Sequence, residues 1–354
     1  MKVKIGKNII SINHKTYFVA DIAANHDGSL SRAKKLIRLC AKAGANAAKF
    51  QHFKADTIVS NYGFKNIGKI THQKKWKKSV YEVYKEASID NSWTKDLRLE
   101  CKKNKIDFFT APYDIDYVKS VYSYVDAYKI GSGDISWLDI VKEIAKKKKT
   151  VLIATGASSL NEVKQAVKTI KKFNKKIILM QCNTNYTADE KNIKYLNLNV
   201  LNQYKKIFKE DVILGLSDHT FGHNSVLGAV ALGARVIEKH FTDNNLRKGP
   251  DHKFSMNPKT WKNMVLETRK LENSLGDGFK KVEKNEKQSI IVQRRGIRAK
   301  KKLFKGNKIK KEMLVYLRPC PKNALNPYEK NKILGKTLIK NIEEGEIINC
   351  KKIK

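Results

Sequence analysis

The chain has 354 residues but only 6 prolines, 5 cysteines and 10 arginines. The cysteines (Cys40, Cys101, Cys182, Cys320, Cys350) are scattered and include no CxxC pair. A disulfide framework or a thiolate zinc site is therefore not expected, and reduced structural thiols are. No apolar stretch approaches the roughly 20 residues that span a bilayer. The segment "MKVKIGKNIISINHKTYFVAD" lacks a signal-peptide core followed by small residues. A soluble, cytoplasmic protein without membrane partners is expected. No GxGxxG follows an apolar run, which argues against a dinucleotide fold.

One sign of charge dominates. The formal net charge is +39, and lysine supplies 63 of the 73 cationic side chains. Base readout favours arginine forks and interleaved aromatics. Here the lysines spread along the whole chain, as in "KKWKK", "AKKKK" and "IKKFNKK". The pattern reads as solvated faces rather than a nucleic-acid surface. A diffuse positive potential would still steer an anionic small substrate inward.

What is present is a rhythm. Eight apolar or β-branched runs recur at 17–22, 47–51, 107–111, 127–130, 150–155, 177–182, 212–217 and 236–241, with helix-like stretches between them. Strands alternating with helices imply βαβ units, and eight units in about 240 residues fit a (β/α)8 barrel. A doubly wound open sheet is the runner-up. Residues 54–78 read as a long loop. The chain divides into a barrel at 1–276, a charged connector at 277–293, and a small, mostly β module at 294–354. That module carries an echo, Leu303-x-x-Gly306-x-x-Ile309 and Ile342-x-x-Gly345-x-x-Ile348, which fits turns with glycine at positive φ.

In such a barrel the chemistry sits where strands end. The ends carry Asp21, then Lys49 and Gln51, Thr110, Lys129 with Ser132 and Asp134, Thr155, "QCNTNYT", Ser217-Asp218-His219, and Glu238-Lys239-His240. A lysine on a buried strand needs an anionic partner. Lys49 and Lys129, with Ser132 and Ser217, make an anion cradle suited to phosphate. The alternative is that each lysine pairs with a barrel carboxylate such as Asp21 or Glu238. His219 and His240 on neighbouring strands suit an open divalent-metal site, Mn²⁺ rather than a closed zinc site. A metal-dependent barrel hydrolase would use similar residues but would want an HxH pair, which is absent. In "DIAANHDGSL", Asp27 or Ser29 can cap the first helix. His14 and His72 look peripheral.

Taken together, "ANHDGSL", "AAKFQ", "YKIGSGD", "ATGAS", "GLSDHTFGH", "GARVIEKHF" and "KGPDHKFSM" resemble the sialic acid synthase family, the phosphoenolpyruvate-dependent nonulosonate synthases. The tail "YLRPCPKNALNP" and "LGKTLIKNIEEGE" looks like that family's antifreeze-like (SAF) domain. The resemblance implies condensation of phosphoenolpyruvate with an N-acyl hexose, releasing phosphate. It implies phosphoenolpyruvate contacts at Lys49, Thr110, Lys129, Ser132, Tyr186 and Ser217, and a further one at either Asn183 or Thr184, since "CNTNYT" departs from the family pattern there. It implies sugar contacts at Gln51, Asp251 and Arg318, metal ligation by His219 and His240, and catalytic roles for Asp21 and Asp134 beside those histidines. The metal implied is Mn²⁺, with Mg²⁺ or Co²⁺ in its place. It also implies a domain-swapped homodimer in which Arg318 reaches the partner's active site. The leading expectation is an N-acetylneuraminate synthase acting on N-acetylmannosamine; the alternative is a legionaminate or pseudaminate synthase acting on a diacetamido-trideoxyhexose. This chain departs from the family pattern at Asp21 and Asp134, where relatives usually carry Glu, and at Ala154, usually Ser.

Overall fold

The computed structural model describes residues 1–354 except Lys69, Thr71, His72, Lys75 and Ala188. The expectation for His72 therefore falls outside the described residues. The chain divides into two compact units, Met1–Gly276 and Asp277–Lys354.

The first unit opens with a hairpin, β1 (Val3–Ile5) and β2 (Asn8–Ile10). Eight parallel strands then close a barrel: β3 (Tyr17–Asp21), β4 (Ala47–His52), β5 (Asp107–Pro112), β6 (Ala127–Ile130), β7 (Thr150–Ala154), β8 (Ile177–Cys182), β9 (Ile213–Asp218) and β10 (Val236–His240), with β10 pairing back onto β3. All eight expected strands form, their ends shifted by at most one residue. The strands are buried on both faces because side chains fill the barrel inside and helices cover it outside. The hairpin closes the N-terminal end. Asn8 and the Tyr17 hydroxyl both donate to Asp107 Oδ2, at 2.7 and 2.6 Å, and Thr150 donates to the Lys4 carbonyl. The other end stays open to the loops that carry chemistry.

The covering helices are α1 (Leu30–Lys42), α2 (Ala55–Ile58), α3 (Asn61–Ile67), α4 (Val80–Ala87), α5 (Trp93–Lys103), α6 (Ile115–Ser120), α7 (Leu138–Lys146), α8 (Leu160–Lys171), α9 (Val200–Phe208), α10 (Asn224–Ala231) and α11 (Pro258–Leu275). Their starts follow capping chemistry: Ser79 with Glu82 and Ser159 with Glu162 form capping boxes. The segment expected as one long loop instead holds α2 and α3. The Ser60 side chain accepts from Gly63 N and starts the second of these.

The second unit has its own apolar cluster, including Ile297, Leu303, Ile309, Leu338, Ile342 and Ile348. Its strands β11 (Gly296–Ala299) and β12 (Leu314–Leu317) pair antiparallel, and isolated bridges such as Leu303 with Ile342 extend the pairing. Gly306 and Gly345 hold φ of 90° and 73°, as the repeated turn pattern requires. The stretch read as a connector contains a short helix, α12 (Lys287–Gln293).

Candidate active site at the barrel mouth

Side chains alternate along a strand, so residues two apart share a face. On β10 this rule puts Glu238 and His240 inside the barrel and Lys239 outside. On β4 it puts Lys49 and Gln51 inside. The inward set meets in one buried cluster. Lys49 Nζ lies 2.7 Å from Asp21 Oδ2 and 3.0 Å from Glu238 Oε1. Lys129 Nζ lies 2.9 Å from the same Glu238 oxygen, and the Ser217 hydroxyl donates to it at 3.1 Å. Both lysines thus sit against barrel carboxylates, the pairing raised as the alternative to a bare anion cradle. Burial alone would push Glu238 up, but Lys129 and Lys49 outweigh it and hold the carboxyl below its ordinary range. Burial works the other way on Lys49, where Asp21 and Glu238 win and hold the ammonium above its ordinary value.

Above the cluster stand the two imidazoles, ring centroids 5.3 Å apart. Tyr186 packs at 4.3 Å from the His219 ring, and Phe254 at 4.9 Å from the His240 ring. His219 Nδ1 lies 2.9 Å from the Asn183 carbonyl, which makes Nδ1 the donor and leaves Nε2 as a lone pair. Burial, with His240 nearby, lowers His219 to about 3; burial, with Lys49 nearby, lowers His240 to about 3. Both rings are therefore neutral at pH 7. Among the described residues, the buried His240 Nδ1 has no hydrogen-bond partner, with Asp251 Oδ2 at 3.8 Å, and Nε2 stands 3.5 Å from Asp21 Oδ2. Two neutral imidazoles, one fixed by a backbone carbonyl, suit a divalent ion. Among the described residues, no three His, Cys, Asp or Glu side chains converge as a metal cage. The pair would leave the remaining positions to substrate and water.

His240 also forms part of a cavity of about 160 Å³ whose wall includes Gln51, Phe53, Ile58, Val83, Tyr84, Ala87, Tyr113, Tyr186 and Asp251. Burial pushes Asp251 up to about 7, although the Ala24 N–H donates to its Oδ2 at 3.1 Å. Burial likewise pushes Asp134 up to about 6, against the pull of Lys129. Ser132 accepts from Gly156 N at 3.0 Å, at the loop that follows β7.

Two expected residues are placed otherwise. Thr110 pairs in register with Tyr128, whose hydroxyl reaches the Val118 carbonyl in α6, so both face the helix layer. The Thr110 hydroxyl donates to the Phe50 carbonyl and meets His52 Nδ1 at 2.8 Å. It does not reach the lysines, and Ala111 holds the adjacent inward register. The Asn183 side chain is spent on its own loop, donating to the Tyr195 carbonyl and accepting from Asn185 N. Arg318 is exposed on the second unit. Conversely, the sequence marks Glu238 only as a partner for a lysine, although it joins both. The signal was its i, i+2 spacing to His240. Tyr113 and Phe254 carry no such signal.

The closed barrel gathers the lysine–carboxylate cluster and the neutral histidine pair at one mouth, the candidate active site of a (β/α)8 barrel. The comparisons make this specific. The NeuB family model matches residues 36–280, and the chain belongs to that family of nonulosonate synthases, transferases that join phosphoenolpyruvate to an acyl sugar. The chain is 36% identical to the N,N'-diacetyllegionaminic acid synthase of Campylobacter jejuni, over 94% of this chain and 99% of that one. It is 33% identical to a pseudaminic acid synthase of the same species, over 94% and 95%. A crystal structure of N-acetylneuraminic acid synthetase from Leptospira borgpetersenii superposes with TM-score 0.71 at 28% identity, covering 82% of this chain and 95% of that one. The legionaminic and pseudaminic acid synthases are more similar to this chain than the N-acetylneuraminic acid synthetase is, which favours the alternative expectation over the leading one. No helix among the described residues is long and apolar enough to cross a membrane.

Proposed function

We propose that this chain condenses phosphoenolpyruvate with a diacetamido-trideoxyhexose of the legionaminate type. The buried Lys49–Glu238–Lys129 cluster at the barrel mouth carries the reading, since it places two ammonium groups where an anionic substrate would enter. In this scheme Lys49, Lys129, Ser132 and Ser217 hold the carboxylate and phosphate of phosphoenolpyruvate. Carbon 3 attacks the aldehyde carbon of the open-chain sugar. Water then adds at carbon 2, and the tetrahedral intermediate expels phosphate, whose charge the lysines offset without reorganising. Asp21 or Asp134 takes the proton of that water. His219 and His240 would hold a divalent ion, Mn²⁺ or else Mg²⁺ or Co²⁺, which supplies Lewis acidity at the aldehyde oxygen.

Two observations support the sugar choice. The relatives making diacetamido products are the more similar ones. The cavity wall includes Phe53, Ile58, Val83 and Ala87, which suits a methyl and a second acyl group better than hydroxyls. We extend the proposal to a homodimer in which an SAF-type second unit brings one protomer's Arg318 to the other's barrel.

Phosphate release with phosphoenolpyruvate, Mn²⁺ and a sugar panel tests this. The diacetamido-trideoxyhexose of the legionaminate pathway should give the highest kcat/KM, above its pseudaminate counterpart and N-acetylmannosamine. Faster turnover of N-acetylmannosamine would overturn the sugar assignment. Silence with every sugar would overturn the activity.

A further inference from the structure

The "NHD" motif after β3 is absorbed neither by the cluster nor by the helix start. Ser29 is the cap of α1, accepting from Arg32 N, so Asp27 is not needed there. The Asp27 carboxylate instead faces the loop between β10 and α11. Its Oδ1 meets His252 Nε2 at 2.8 Å, and its Oδ2 accepts from Arg247 Nε and Nη2 at 2.9 and 2.7 Å. Arg32 Nε approaches Oδ2 at 3.1 Å from the α1 side. His252 is wholly buried, and its other ring nitrogen meets the Thr242 hydroxyl at 2.7 Å. A Cβ on Gly249 would come within 2.7 Å of the His252 ring, so the loop passes that ring only as glycine.

Asn25 works in parallel. It is fully buried, and its Nδ2 donates to the Phe241 carbonyl and the Ser255 hydroxyl, both at 2.9 Å. Ser255 in turn donates to the Asp251 carbonyl at 2.6 Å. The Ala24 N–H takes the Asp251 carboxylate itself. Asp251 is thus held at its side chain by Ala24 and, through Ser255, at its backbone by Asn25, while Asp27 holds its neighbours Arg247 and His252.

We propose that Asp27 is a positioning residue that clamps residues 242–256 through Arg247 and His252 and so fixes Asp251 at the carbohydrate end of the cavity. The carbohydrate part rests on the function proposed above; the clamp does not. Asp27→Asn keeps the shape but removes the charge and turns one acceptor into a donor facing a cation or a ring nitrogen. Losing charged hydrogen bonds of this kind should raise the acyl-sugar KM about tenfold or more, with the phosphoenolpyruvate KM moving less than about twofold. Amide hydrogen exchange across 242–256 should quicken about tenfold while the barrel strands stay protected. Arg247→Gln, which removes only the more exposed arm, should move both readouts the same way by less. Unchanged exchange in both variants would overturn the clamp. Faster exchange with equal rises in both KM values would overturn its assignment to the sugar. Should wild type turn over no sugar, the proposed function fails, and the exchange arm still decides the clamp.

Discussion

Two buried lysine–carboxylate groups lie back to back on β9 and β10, and they are finished to different degrees. On the outer face Lys239 is 1% exposed, and its ammonium contacts Asp218 Oδ2 at 2.5 Å and the Thr220 carbonyl at 2.7 Å. The Asp218 carboxylate also accepts from Ser225 Oγ, Thr220 Oγ1 and Thr220 N. Every oxygen there is used. On the inner face Glu238 Oε1 takes Lys49, Lys129 and Ser217, yet Oε2 is buried with no hydrogen-bond partner among the described residues. A buried polar atom without a partner costs stability. Fold alone gives no reason to keep it, whereas binding chemistry does. The completed group reads as architecture and the incomplete one as a site.

Breaking each group separately sharpens the contrast. Lys239→Met leaves Asp218 charged and buried without a cation, so it should cost about 3–5 kcal/mol of stability by urea unfolding. Lys129→Met leaves Glu238 still paired with Lys49 and keeps most of the packing. It should lower kcat/KM for phosphoenolpyruvate by about 10²–10³-fold, as the loss of a preorganised charge partner does, with a smaller stability change. If Lys239→Met behaved as a fully stable, inactive protein, the division between the two faces would be wrong.

The same contrast explains what was legible in the sequence. The barrel was readable because eight doubly buried strands leave eight unmistakable apolar runs. Most of the mouth was readable because polar residues end those runs. Facing was harder. Thr110 ends a run just as Lys129 does, but one register step turns it toward α5 and α6, and a residue list does not count that step. The partners of Lys49 and Lys129 come from strands far away in sequence, so pairing was visible only as an alternative. Loop commitments such as that of Asn183 depend on tertiary hydrogen bonds that no local pattern encodes.

Asp134 offers a smaller test on the inner side. Burial raises it from 3.8 to about 6, so between those values the folded chain keeps a proton that the unfolded chain has released. Stability therefore falls as pH rises across that window and levels off above it. Relative to wild type, Asp134→Asn should lose this component, and Tm measured from pH 4 to 7 should decline less steeply. A difference between the two proteins that does not vary with pH would remove Asp134 from the titrating set. If Asp134 accepts the water proton, wild-type kcat should also climb as pH passes about 6.

The smallest expected effect belongs to Asp21, one of the two positions where the family resemblance implies a glutamate, one methylene longer. Asp21 contacts Lys49 and stands beside His240, and its Oδ1 accepts from Ala23 N at 3.1 Å. It does not line the cavity wall formed by Ile58, Val83 and Asp251. Asp21→Glu should then push a carboxylate toward the reacting atoms without reshaping the carbohydrate pocket. kcat should change by less than about tenfold, roughly 1.4 kcal/mol of barrier, and by the same factor for every sugar in the panel. A uniform change keeps Asp21 with the inner cluster, as part of the chemistry common to all sugars. A change in the ratio of kcat/KM between sugars larger than the change in rate would move it into the specificity wall. The boundary between the charged cluster and the apolar pocket would then have to be redrawn through Asp21 itself.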